Sequence, residues 1–159
     1  MTQVTLLCVG NLKEKYWADA CAEYEKRLGG YCQFKCIEIK EEKITDEGNA
    51  KKTQQALLAE GQKLLSLVPD HAYVVSLCIE GKPLDSVALS KHMEEATSQS
   101  GKIVFIIGSS HGLHPTVKSA SHLRLSLSSL TFPHQLSRVL LMESLYRSFT
   151  ITAGKTYHK

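Results

Sequence analysis

Three short segments carry residue types that could hold a ligand: Leu77 to Lys82, Gly108 to Leu113, and Leu127 to Pro133. In the middle one, Gly108 directly follows an apolar run and Gly112 precedes a short helical stretch. The backbone could therefore turn sharply and approach a ligand with no Cβ in the way. In the third, the hydroxyls of Ser128, Ser129 and Thr131 sit among Leu127, Leu130 and Phe132, a set suited to a flat apolar ring with polar edges. Each also has a plainer reading, as a strand-to-helix turn or as a serine-rich cap for the helix beginning at Pro133.

Other chemistry is poorly provided for. Gly108-x3-Gly112 lacks dinucleotide-fingerprint spacing, there is no P-loop lysine, and no G-x-S-x-G elbow makes Ser109 or Ser110 a hydrolase nucleophile. A nucleotide-binding oxidoreductase or phosphohydrolase is thereby disfavoured. His111, His114, His122 and His134 fall in one stretch but form no helical ligand pair, so they read as solvated or capping residues. Cys32 and Cys36 have no matching Cys/His pair at zinc spacing, and no metal is expected. Glu143 and Arg147 stand four apart, the acid first, as in a favourable helix pair. The tail Lys155, Tyr157, His158 and Lys159 mixes types suited to phosphate contact and base stacking, although by composition alone it reads as frayed.

From the N-terminus, Val4 to Val9 reads as a strand closed by Gly10. Trp17, Ala20, Cys21, Tyr24 and Leu28 then recur at helical spacing up to Gly29 and Gly30. Phe34 to Ile39 alternates as a strand, Lys40 to Asn49 is a charged loop, and Ala50 to Leu67 a helix. Tyr73 to Ile79 and Ile103 to Ile107 are near-continuous apolar strands flanking a helix over Ser86 to Thr97. A further strand is expected at Leu123 to Leu127, and a last helix from Pro133 to about Phe149. Apolar strands separated by helices indicate an α/β fold, a parallel sheet covered on both faces. Ligands of such sheets collect at the carboxyl ends of the strands, which is where the three segments lie.

The 159 residues, 43% hydrophobic, suit one domain over 1–159. Nineteen Lys and Arg against sixteen Asp and Glu give a net charge of +3, which permits a nucleic-acid partner without demanding one. The first ten residues have no basic n-region, and no run is long enough to span a membrane. Five scattered cysteines favour a reducing compartment over a disulfide framework. A cytoplasmic, membrane-free protein is expected.

Taken together, Leu77 through Lys82, Ile107-Gly108-x3-Gly112-Leu113 and Leu127 through Phe149 resemble the RlmH family. The strongest stretch is Ser126 to Gln135, continuing through Arg138 and Glu143 to Arg147 and on to Tyr157 and His158. Val9-Gly10 and Tyr16 through Leu28 also match, so the likeness runs end to end. It implies a SPOUT-type parallel sheet with helices on both faces and a C-terminal trefoil knot, an exception to the rule that chains do not thread loops. It also implies an obligate homodimer that uses S-adenosyl-L-methionine to methylate N3 of the pseudouridine at position 1915 of 23S rRNA.

Carried over residue by residue, the family's cofactor contacts fall on Leu77, Gly108, Leu127, Ser128, Ser129, Leu130, Thr131 and Phe132, the segments the strand-end argument selects. Arg147 and His158 are the expected catalytic residues. Arg147 would stabilise the anion developing on the ring, and His158 or Tyr157 would hold the base. Two positions depart from the family: Cys78 stands where an acid is usual, and Ser109 where a second glycine is usual. A non-catalytic relative that binds RNA or the ribosome without cofactor is the alternative. With a charge of only +3, one subunit holds a large RNA weakly, so dimerisation and an assembled ribosomal surface are expected to supply the binding energy.

Overall fold

A computed structural model describes all residues, 1–159. Ten elements follow in order: β1 (Gln3–Val9), α1 (Lys15–Leu28), β2 (Gln33–Ile39), α2 (Ala50–Ser66), β3 (Tyr73–Pro83), α3 (Ser86–Ser100), β4 (Lys102–Ile107), α4 (Pro115–Ser119), β5 (Leu123–Ser126) and α5 (His134–Thr152). The strands form one sheet in the order β2-β1-β4-β3-β5, every pair parallel. The α/β expectation is met, and β4 and β3 are internal as their apolar runs require.

Alternation along each strand divides the core in two. On one face Val4, Leu6, Cys8, Ile103, Phe105 and Ile107 meet Leu28 of α1, Leu89 and Met93 of α3, and Leu141, Met142 and Leu145 of α5. On the other, Leu7, Val9, Val104 and Ile106 meet Leu64 of α2 and Val117 of α4. Each fully buried Leu, Ile or Phe stabilises the fold by about 1.5–3 kcal/mol, several times an exposed ion pair. The apolar pattern therefore decides the layers.

Local signals set the helix ends. Asn49 Oδ1 accepts from the N–H groups of Lys51 and Lys52 at 3.1 and 3.2 Å, and Asp85 caps α3 through Ala88 N–H at 2.7 Å. His114 caps α4, with Pro115 in its first turn. Pro133 occupies the N-cap of α5, so the helix begins one residue later than expected, and neither serine nor threonine of the preceding loop caps it. The capping alternative for Ser128 and Ser129 thus fails, leaving them free for another role. No helix is long and apolar enough to cross a membrane.

The connection after β5 is what builds the site. β5 lies at the sheet edge beside β3, yet the first turns of α5 reach β1 and β2. There the Arg138 guanidinium donates to Glu38 Oε2 at 2.7 Å and to the Gly10 carbonyl at 3.3 Å. Residues 127–133 must therefore cross the carboxyl ends of the inner strands.

Candidate active site

That crossing encloses a cleft of about 810 Å3 at the carboxyl ends of β3, β4 and β5. Its volume lies within the range of about 300–1,000 Å3 usual for small-molecule sites. All three segments singled out from the sequence converge on it. Leu77, Gly108, Leu127, Ser128, Leu130, Thr131 and Phe132 line it, whereas Ser129 is exposed and outside the lining. Cys78, Lys118, His134 and Gln135 also contribute.

Close backbone approach shapes the middle wall. A Cβ on Gly108 would collide with the carbonyl oxygen of Gly112 and lie 2.9 Å from Leu113 Cδ2. The turn is closed by Gly112 N–H donating to the Ser109 carbonyl at 2.9 Å, and Gly112 itself sits at φ +86°. Ser109 is accommodated, being buried with its hydroxyl accepting from His111 N–H at 3.3 Å. Gly81 has a similar constraint, since a Cβ there would lie 2.8 Å from the Arg124 carbonyl. That contact holds the end of β3 against β5 across the irregularity between Leu77 and Lys82.

The third wall offers unpaired backbone. No backbone group from Leu127 to Phe132 bonds another backbone group. Ser128 Oγ accepts from Leu130 N–H at 3.0 Å, and Ser126 Oγ donates to the Ser128 carbonyl at 3.0 Å, fixing the loop. Apolar Leu77, Ile107, Leu125 and Leu127 beside free amides and carbonyls suit a purine-like ring read at its polar edge. Burial raises the Cys78 thiol above its ordinary range, so it is a neutral wall residue and no thiolate nucleophile.

A second polar cluster lies at the far end of α5. Glu143 Oε1 accepts from Arg147 Nε at 3.1 Å and from the Tyr157 hydroxyl at 3.1 Å, and the Arg147 guanidinium carbon stands 4.7 Å from the Tyr157 ring centre. Arg147 Nη1 and His158 Nδ1 are 3.3 Å apart. A guanidinium only donates, so His158 accepts at Nδ1 and carries its proton on Nε2. Burial and the Glu143 carboxylate push the Tyr157 hydroxyl up to about 12. The tail is thus pinned to α5 and not frayed, which composition could not reveal. Arg147 and His158 come together, but neither lines the cleft. From Ser137, the last residue of α5 to line the cleft, to Arg147 is ten residues, about 15 Å along the axis at 1.5 Å each.

Several histidines have structural work. His122 Nδ1 accepts from Val74 N–H at 3.0 Å and its ring stacks on Tyr73, while His92 bonds the Tyr73 hydroxyl. Sequence reasoning missed the lining roles of His134, Gln135 and Lys118, and also the Arg138–Glu38 tie. The polar residue Arg138 on the apolar face of the last helix was the available signal for that tie.

A family profile described as "Predicted SPOUT methyltransferase" matches residues 2–158. The chain belongs to the SPOUT methyltransferase family. A solved structure titled "The structure of a probable methylase family protein from Haemophilus influenzae Rd KW20" is similar to it with a TM-score of 0.52. The likeness covers 99% of this chain and 70% of that one at 12% identity, and so bears on the fold alone. For a SPOUT methyltransferase, whose activity is methyl transfer from S-adenosylmethionine, the cleft is the site whose size and lining suit the cofactor.

Proposed function

We propose that the chain, a single domain over 1–159, is a homodimeric methyltransferase that transfers a methyl group from S-adenosylmethionine to N3 of a pseudouridine in 23S rRNA. Its substrate is the assembled ribosomal particle in the cytoplasm. The observation that carries this reading is the convergence of Leu77, Gly108 and the 127–132 loop on one cleft of cofactor size.

When bound, the cofactor supplies an electrophilic methyl group. The chain's residues position the reactants in a site that excludes water. Leu77 and Leu127 would enclose the adenine, Gly108 would leave room for close approach, and backbone groups of the 127–132 loop that lack backbone partners would read its polar edges. The N3 proton of the target must pass to a basic group near the cofactor; Arg147 would stabilise the anion left on the ring, and His158 or Tyr157 would hold the nucleobase.

With Arg147 about 15 Å along α5 from Ser137, the last residue of that helix to line the cleft, these roles call for a second subunit. The surface of α5 supports one. Leu136, Leu140, Glu143 and Arg147 form a half-exposed stripe at helical spacing, on a helix with apolar residues all round. A trefoil knot is part of the same reading. It is supported by residues 127–133, which cross the inner strands from the β5 edge to reach β1 and β2. The cofactor-less alternative is disfavoured, because Ser109 and Cys78 are both accommodated in the walls.

The test is calorimetric titration with S-adenosylmethionine, followed by tritium-methyl transfer to ribosomes from a strain lacking the modification. Saturable binding with incorporation at pseudouridine is expected, and Arg147→Ala should keep cofactor affinity while losing most turnover. Binding without transfer to any ribosomal particle would favour the non-catalytic relative. Full turnover by Arg147→Ala would remove Arg147 from the mechanism.

A further inference from the structure

The least satisfied group in the molecule lies just behind the cleft. Glu60, in the middle of α2, is 4% exposed, and its Oε1 has no hydrogen-bond partner. A buried acceptor left unpaired costs free energy and calls for an explanation. Its other oxygen is committed, since Oε2 accepts from Glu42 N–H at 2.9 Å and so ties down the segment after β2. Adjacent Glu41 helps line a smaller polar recess that shares His134 and Gln135 with the cleft.

Around Glu60, α2 packs against the segment that follows β4. Gly61, the next residue on α2, sits so close to the segment after β4 that an added Cβ would lie 3.0 Å from Val117 Cγ2 and 3.5 Å from His114 Cβ. The Ser109 hydroxyl accepts from His111 N–H, which leaves its own proton to donate. It is near enough to Glu60 to act on it. Burial raises the Glu60 carboxyl above its ordinary range, whereas Glu42 N–H and the Ser109 hydroxyl draw it back. A donor without an acceptor thus stands beside an acceptor without a donor, one on the turn after β4 that lines the cleft and the other on α2 behind it.

We propose that Glu60 is a positioning residue that links the two loops flanking the cleft: its Oε1 takes the Ser109 hydroxyl when S-adenosylmethionine draws the 108–112 turn inward, while Oε2 holds Glu42. The inference rests on the cofactor reading above. It also gives Ser109 a role, because a glycine at that position has no hydroxyl to offer.

A double-mutant cycle on the full chain tests it, using Glu60→Gln, Ser109→Ala and the pair, with calorimetric S-adenosylmethionine affinity as the readout. Loss of a hydrogen bond to a carboxylate should weaken binding about tenfold in each single variant. The double variant should be no weaker than either, because both remove one interaction. Multiplicative losses would overturn the link. Hydrogen exchange on wild type and Ser109→Ala gives a second readout that does not depend on Glu60→Gln folding. Cofactor should slow exchange at 109–112 and at 41–43 in the wild type, but only at 109–112 in Ser109→Ala. Protection of 41–43 retained in Ser109→Ala would also overturn it. Wild type that binds no cofactor would overturn the cofactor reading and this inference together; binding with independent losses would overturn this inference alone.

Discussion

Gly108→Ala isolates the contribution of close backbone approach to the cleft. The added methyl would collide with the Gly112 carbonyl and lie 2.9 Å from Leu113 Cδ2, where carbon contacts relax at about 3.5–4.0 Å. The turn must open by roughly 1 Å, and overpacking of this kind costs about 1–3 kcal/mol. For a chain of this size each kcal/mol lowers Tm by about 2–4 °C, so a fall of about 2–12 °C is expected. Gly112→Ala is the control. Its Cβ meets nothing within 4 Å, but φ is +86°, a conformation costing a residue with a side chain about 1–2 kcal/mol. The two variants should lose similar stability by thermal unfolding yet part company in calorimetry. Gly108→Ala, whose turn must open into the cleft, should bind S-adenosylmethionine at least about tenfold more weakly, whereas Gly112→Ala should stay within about threefold of wild type. Wild-type affinity in a folded Gly108→Ala protein would refute the argument that Gly108 lets the cofactor approach.

The Arg138–Glu38 pair should respond asymmetrically. The Arg138 side chain is 4% exposed and that of Glu38 is 41% exposed. Glu38→Leu strands a buried cation and should cost about 3–5 kcal/mol, while Arg138→Met leaves a carboxylate that water can reach and should cost less. Denaturant melts that rank the two the other way would refute this. Tyr157 links stability to alkaline pH. Its folded value, about 12, exceeds the ordinary 10, so the folded state holds the proton more tightly. That contribution is complete below about pH 10 and is lost as pH rises towards 12. Tyr157→Phe should therefore flatten the wild-type decline over that interval, and parallel curves would count against the Glu143 contact as its source.

Much of the fold was legible because its strands are buried on both faces. Tyr73 to Ile79 and Ile103 to Ile107 have almost no polar residues to confuse the period, and the helices between them carry clear caps and stops. The cleft was legible for a related reason: in a parallel sheet the ligand end is fixed by topology, so identifying the strands identified the loops. What sequence could not convey was contact between distant segments. The tail read as frayed because nothing in Tyr157 announces Glu143 as its partner fourteen residues earlier, nor in His158 its partner Arg147 eleven residues earlier. Ser129 and Ser128 look alike in sequence, yet loop curvature exposes the first and turns the second into the cleft lining. Glu60 resembles any glutamate on a solvated helix until tertiary structure buries it.

The separation of the two polar regions along α5 has a consequence for where catalysis occurs. Ser137 lines the cleft and Arg147 lies about three turns further along α5, so in the proposed mechanism one chain would not bring both to a single substrate. The proposed two-fold dimer would resolve this, because each contact in such an interface is made twice and each subunit would lend its Arg147 to the other's cleft. Heterodimers of one Gly108→Ala and one Arg147→Ala subunit decide the matter. If the site is shared, one of the two sites combines the intact cleft with the partner's intact Arg147, while the other holds both lesions. With cofactor held too low to fill the Gly108→Ala cleft, methyl transfer to ribosomes should then return to about half the wild-type rate, although both mutant homodimers are nearly inactive. If each site lay within one chain, every site would carry a lesion and the mixed species would be as inactive as its parents; that result would sink the shared site and, with it, the role given to Arg147.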